Sequence, residues 1–168
     1  MISKLNEQKP WWKANLNKRI IIKNIKKTVN NNHITFSKNC YQIEKYLKKI
    51  LGVKHVILTN SGTSALFMAT MVASLRQKGR VYSPIMTWSG TVNGALYANK
   101  DVIFIDNIKN SINANYFSLS KKIKQKDILF ITHLNGKCAY DRKTFKMIKR
   151  KKIFVIEDAA QSFLAKDY

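Results

Sequence analysis

Short apolar runs alternate along this chain with longer segments in which apolar residues recur every three or four positions. The runs are Val56-Ile57-Leu58, Arg80-Val81-Tyr82, Val102-Ile103-Phe104-Ile105, Ile128-Leu129-Phe130-Ile131 and Ile153-Phe154-Val155-Ile156. Each is rich in β-branched or aromatic residues, continuous rather than alternating, and bounded by polar residues or glycine. That is the pattern of a strand covered on both faces. Between the runs, residues 62–76 carry Ala65, Leu66, Ala69, Val72 and Ala73 at helical spacing, and residues 141–150 carry Phe145, Met147 and Ile148 within a basic helix. The rhythm is that of repeated βαβ units and predicts a mostly parallel, doubly wound α/β sheet.

The first third of the chain breaks this rhythm. Trp11-Trp12 follow Pro10, and a basic amphipathic stretch leads to Asn30-Asn31-Asn32. Cys40 to Leu51 reads as a helix with Ile43, Tyr46, Leu47 and Ile50 on one face, stopped by Gly52. Residues 1–35 therefore read as an arm that packs on the body or on a partner subunit. No Pro/Gly/Ser-rich linker marks a second domain within residues 36–168.

Composition narrows the class. At 168 residues and 45% apolar content the chain can bury a core, which argues against global disorder. The formal charge of +22 suits attraction to nucleic acid, anionic lipid or phosphorylated ligands. It equally suits a compositional bias toward Lys, Asn and Ile. The lysines scatter from Lys4 to Lys166 without a motif, and Asn is enriched alongside them, which a nucleic-acid surface does not explain. The bias reading is favoured, and no nucleic-acid or membrane partner is expected. Cys40 and Cys138 lack metal-ligand spacing and read as two buried, reduced thiols. With no apolar signal core near Met1 and no run of about 20 apolar residues, the expected location is the cytoplasm.

Candidate chemistry gathers at the ends of the predicted strands. Asn60-Ser61-Gly62-Thr63-Ser64-Ala65-Leu66 stands where a strand gives way to a helix; it is either a plain N-cap or a phosphate site built from free N–H groups, hydroxyls and the helix dipole. Glu157-Asp158-Ala159-Ala160-Gln161 follows the last apolar run, where ligands of open α/β sheets collect, and reads as a ligand to something cationic or as a helix cap. No His or second carboxylate set accompanies it, so no metal site is predicted. Trp88, after Ser83-Pro84 and Thr87, is either core or a platform for a planar ligand. His133, in Thr132-His133-Leu134-Asn135-Gly136, reads as a satisfied structural histidine.

Taken in order, these blocks, with the helix from Ile43-Glu44-Lys45-Tyr46 to Leu51-Gly52-Val53-Lys54-His55 ahead of them, make residues 33–168 similar to the DegT/StrS family of sugar aminotransferases that use pyridoxal 5'-phosphate (PLP). The resemblance implies part of the large domain of an aspartate aminotransferase-like, fold type I enzyme: a three-layer, mostly parallel α/β sheet over residues 36–168, without the small C-terminal domain. It implies amino transfer, with glutamate as donor, to nucleotide-linked keto sugars for polysaccharide or lipopolysaccharide synthesis, and a homodimer in the full-length form. By the same resemblance Ser61, Gly62, Thr63 and Ser64 hold the cofactor phosphate and Trp88 stacks on the pyridine ring. Asp158 pairs with the ring nitrogen, keeping it protonated so that the ring withdraws electrons, and Gln161 lies near the ring face or phenolic oxygen.

The resemblance also has departures. The family's cofactor-linked lysine is expected beyond Tyr168; Lys166, only eight positions past Asp158, is not that residue, so no catalytic residue is assigned. An inactive remnant without transaminase activity is the alternative. Ser37 stands where the family usually has glycine, which puts the local backbone in question.

Overall fold

The computed structural model describes residues 16–32 and 34–165, which fall into two compact units divided at Val56/Ile57. Trp11, Trp12 and Lys166 lie outside the described residues.

The first unit contains α1 (Lys18–Asn30) and α2 (Lys38–Leu51). The Asn17 side chain accepts from Ile20 N at 3.2 Å and starts α1. Ser37 does the same for α2, accepting from Asn39 N at 3.3 Å. Ser37 has φ −125°, an ordinary extended backbone, so serine in place of glycine introduces no strain there. Gly52, with φ 65°, adopts the left-handed conformation that ends α2 as expected.

The second unit holds four strands in the order β2-β1-β3-β4, every pair parallel. They are β1 (Val81–Pro84), β2 (Val102–Ile105), β3 (Ile128–Thr132) and β4 (Phe154–Asp158). The helices are α3 (Gly62–Arg76), α4 (Gly90–Tyr97) and α5 (Arg142–Lys151), with a 3₁₀ turn at Tyr116–Lys121. Successive strand side chains point to opposite faces, and this sorts the apolar runs into two cores. Val81, Ile128, Phe130 and Ile156 pack with Ala73 of α3 and Ala95 of α4. Tyr82, Ile105, Leu129 and Ile131 pack with Leu119, Ile123 and Met147 on the other face. Both faces of the sheet are covered, which makes the three layers and explains why the runs are continuously apolar.

Four expectations change. Val56-Ile57-Leu58 is not a strand: no described strand forms a ladder with it, and Ile57 is 72% exposed. Arg80 stays outside β1, which begins at Val81. The edge strands are only partly covered, with Phe104 of β2 54% exposed, whereas β1 and β3 are buried throughout. Cys40 and Cys138 are free thiols but half-buried rather than buried. The sequence reading also missed α4 entirely. Its eight residues lie close against α3 through Gly94: a Cβ there would sit 2.9 Å from Thr70 Cβ and 3.1 Å from the Phe67 Cα.

Candidate functional site

The carboxyl ends of the four strands form one edge, and the predicted site residues gather along it. Ser61 is the N-cap of α3, extended at φ −159° and ψ 158°, and its Oγ accepts from Ser64 N at 3.1 Å. The same Oγ lies 3.0 Å from Ser64 Oγ, and Thr59 Oγ1 donates to the Ser61 carbonyl at 2.8 Å. Ala65 N already bonds Ser61 O. Among the described residues, no acceptor faces the first-turn N–H groups of Gly62 and Thr63. A Cβ placed on Gly62 meets no heavy atom within 4 Å, so the side-chain position of this glycine is uncrowded. An anion at this terminus would meet two backbone donors, hydroxyls and the positive end of a 15-residue helix. The N-cap and phosphate readings of the sequence are thus compatible: Ser61 caps the helix and still leaves donors facing outward.

Asp158 is the last residue of β4, 9% exposed, and directly opposite Thr132 in the parallel register. Its Oδ1 accepts from Ala160 N at 3.1 Å and its Oδ2 from Thr91 Oγ1 at 3.1 Å. Thr91 Oγ1 also lies 2.9 Å from Thr87 Oγ1, which lies 3.0 Å from Thr132 Oγ1. A hydroxyl has one proton. Since the carboxylate takes the proton of Thr91, Thr87 must donate to Thr91 and Thr132 to Thr87. The three threonines form a chain of hydroxyls all donating toward Asp158, each bond polarising the next. Thr132 N in turn donates to the buried Tyr116 hydroxyl at 3.1 Å. Burial pushes that phenol up to about 12, so it stays neutral.

The start of α4 joins the two ends of the site. Thr91 touches Asp158, while its neighbour Gly90 faces Thr63: a Cβ on Gly90 would lie 2.8 Å from Thr63 Oγ1 and 2.9 Å from Trp88 Cδ1. Adjacent Cα atoms are about 3.8 Å apart. Thr63, Trp88 and Asp158 therefore meet around one helical turn, at the same edge of the sheet. Trp88 is 72% exposed, not core, with its ring free to meet a ligand. Gln161 sits on the loop side: its Oε1 accepts from Asn135 N at 3.2 Å and its carbonyl from Gly136 N at 3.1 Å. Asn135 and Gly136 both have positive φ, 54° and 74°, the turn chemistry this pair favours.

His133 is buried and satisfied. Its Nδ1 accepts from Ala139 N at 3.1 Å and its Nε2 faces Glu157 Oε2 at 3.5 Å. Tyr140 Oη lies 3.4 Å from the other Glu157 oxygen. The hydrogen bond from His133 is the largest influence holding the Glu157 carboxyl below its ordinary range, against the opposing effect of partial burial. The two adjacent acids thus differ: Glu157 is spent on the His133 side, and Asp158 points to α4 and Trp88. Thr91 and Thr132 are the site residues that the sequence did not reveal.

A parallel α/β sheet with helices on both faces, a hydroxyl-lined helix terminus and a buried acid at its carboxyl edge belongs to the doubly wound class, whose ligands collect at that edge. The profile of the DegT/DnrJ/EryC1/StrS aminotransferase family matches residues 16–167, and the chain belongs to that family. It is 27% identical over 122 residues to a GDP-perosamine synthase of Caulobacter vibrioides, covering 72% of this chain and 33% of that protein. It is 30% identical to a UDP-4-amino-4,6-dideoxy-N-acetyl-beta-L-altrosamine transaminase of Campylobacter jejuni, covering 77% of this chain and 35% of the relative. The chain thus spans about a third of the length of these curated relatives. Among solved structures, an E. coli GDP-4-keto-6-deoxy-D-mannose-3-dehydratase with bound hydrated PLP superposes with a TM-score of 0.76 at 21% identity, over 87% of this chain and 39% of that one. That likeness shows a shared fold over most of this chain.

Proposed function

We propose that this chain carries the cofactor-cradling part of a pyridoxal-phosphate enzyme that modifies nucleotide-linked keto sugars, by amino transfer with glutamate as the donor. The observation that supports it is the convergence of Thr63, Trp88 and Asp158 on the first turn of α4. The names of the relatives, a GDP-sugar synthase and a UDP-sugar transaminase, support the nucleotide-sugar class. When bound, PLP supplies an electron-withdrawing ring for chemistry at the amine-bearing carbon.

The residues have separable tasks in this reading. Gly62 N, Thr63 N and the Ser61 and Ser64 hydroxyls take the phosphate, and Trp88 lies along the ring. The Asp158 carboxylate would hold the proton on the ring nitrogen, with Thr91 fixing the carboxylate's orientation. Gln161 keeps its amide Nε2 for the ring's phenolic oxygen. We assign no proton-transferring lysine among residues 16–165. The enzyme works as a homodimer in the cytoplasm in this proposal.

Equilibrium dialysis of the purified chain against PLP tests it. Wild type is expected to bind saturably at one site. Asp158→Asn, which keeps shape but loses the charge, should weaken binding about tenfold or more, since hydrogen bonds to charged groups contribute on the order of 1.5–3 kcal/mol. Equal affinity of the two proteins would remove the assignment of Asp158.

A further inference from the structure

We propose a second ligand site, for a small polyphosphate, at the opposite end of the sheet from Asp158. The amino ends of β2, β1 and β3 surround a cavity of about 610 Å³. Three short segments wall it: Lys78–Arg80 ahead of β1, Asn99–Asp101 ahead of β2, and Lys122–Asp127 ahead of β3. Six cationic side chains and two acids line it, a net charge of +4.

The two acids leave four positive charges without a counter-charge in the lining. Asp127 is 6% exposed and its carboxylate is taken up by backbone, Oδ1 accepting from Arg80 N at 2.9 Å and Oδ2 from Lys124 N at 2.7 Å. Those two bonds clamp the Lys124–Asp127 segment to the start of β1. The Gly79 amide, donating to the Lys126 carbonyl at 2.9 Å, closes the same junction. A Cβ on Gly79 would collide with the Asp127 carboxylate, so the glycine is required for this close approach. No ion pair joins Asp101 or Asp127 to any of the lining cations, all of which are described residues. Lys100 is spent on structure, its Nζ donating to the Gln77 carbonyl at 2.7 Å. Among the described residues, the side chains of Lys78, Arg80, Lys122, Lys124 and Lys126 make no hydrogen bond or ion pair. Six cations against two acids are thus held around one concavity on a clamped frame, a net charge of +4 whose repulsion an anion relieves.

Size and lining select the ligand class. The volume is that of a small-molecule site. Binding a single nucleic-acid strand would call for exposed aromatic platforms. The one aromatic here, Tyr82, is 3% exposed. Two or three linked phosphates match the charge without needing a stacking surface.

The test is isothermal titration of the whole chain with inorganic tripolyphosphate at about 150 mM salt, where charges farther than about 8 Å apart are screened. Strands of five residues separate the two sheet ends by roughly 15 Å. Lys124→Gln/Lys126→Gln is expected to keep its melting temperature and lose about tenfold in affinity. Arg142→Gln/Lys143→Gln, at the start of α5 by the carboxyl edge, removes the same charge and should change affinity less than about twofold. Lys78→Gln/Lys122→Gln provides a second basin variant if the first is unstable. Saturable 1:1 binding with that contrast supports the site. Equal losses in both pairs would leave only diffuse charge, and absence of saturation would leave nothing; either overturns it. Tighter, length-dependent binding of a single-stranded oligonucleotide with the same basin losses would overturn the small-polyphosphate class in favour of nucleic acid.

Discussion

Thr91→Val isolates the hydroxyl chain from everything else at the site. Valine has nearly the shape of threonine, so no cavity opens, but the proton donated to Asp158 and the acceptor for Thr87 both disappear. Thr91 is fully buried and Asp158 nearly so, so water cannot replace the lost bond. A hydrogen bond to a charged group contributes on the order of 1.5–3 kcal/mol, and Asp158 keeps its second bond, from Ala160 N. The expected cost is about 2 kcal/mol, which lowers the melting temperature of a unit this size by roughly 8 °C. Thr91→Ser keeps the hydroxyl and loses a methyl, at a cost of about 1 kcal/mol. Thermal unfolding by circular dichroism measures both. A double-mutant cycle with Asp158→Asn should show coupling of at least about 1 kcal/mol, because the pair touches. If Thr91→Val melts with the wild type, or Thr91→Ser is the more damaging of the two, the directed chain of hydroxyls is refuted.

Gly94→Ala should destabilise by about 1–2 kcal/mol in chemical denaturation, because the new methyl meets Thr70 Cβ at 2.9 Å and the Phe67 backbone at 3.1 Å, outweighing alanine's better helix propensity. Asp141→Ala removes the N-cap of α5, whose Oδ1 accepts from Thr144 N at 2.9 Å, and should cost about 1 kcal/mol at pH 7, while Asp141→Asn costs less. That backbone bond holds the Asp141 carboxyl below its ordinary 3.8, so its stabilisation is complete above that value and fades as pH falls through the lower folded one; melts at decreasing pH should show wild type and Asp141→Ala converging in acid. Glu157→Gln follows the same sign: the carboxyl is held below 4.5, chiefly by the hydrogen bond from His133, so the advantage of wild type is full above about pH 4.5 and fades as pH falls through the lower folded value. Being half-exposed, that pair should contribute under about 1 kcal/mol.

Much of the fold was legible because the sheet is buried on both faces. Continuous runs such as Ile128-Leu129-Phe130-Ile131 suit strands covered on both faces, and the glycine at 52 marks its helix end. The run Val56-Ile57-Leu58 carries the same signal yet forms no ladder, because strand propensity specifies only that a segment suits a sheet, not that a neighbour is there to pair with it. Helix α4 was missed for a different reason. Its residues Gly90, Thr91 and Gly94 are poor helix formers, chosen for close approach to Thr63, Asp158 and α3 rather than for propensity. Of the candidate residues, Ser61 to Ser64 stand at the start of α3 and Asp158 at the end of β4, while Trp88 and Gln161 lie in loops. Thr91 and Thr132 stayed hidden because a buried threonine reads as a β-branched core residue until its hydroxyl partner is known.

Which of two adjacent acids faces the site follows from the core alone. Ile128 and Phe130 of β3, and Ile156 of β4, lie on the α3/α4 face. Two-residue alternation then carries Thr132 and Asp158 to that same face, toward Thr91, and sends Glu157 to the other, with His133. The register pairs Thr132 with Asp158. A one-residue slip of β4 would put Glu157 on the α4 side, but it would also turn Ile156 out of its core and Val155 into it. Packing at the middle of the strand therefore fixes the chemistry at its end, and the position of Asp158 is as well specified as the burial of Ile156.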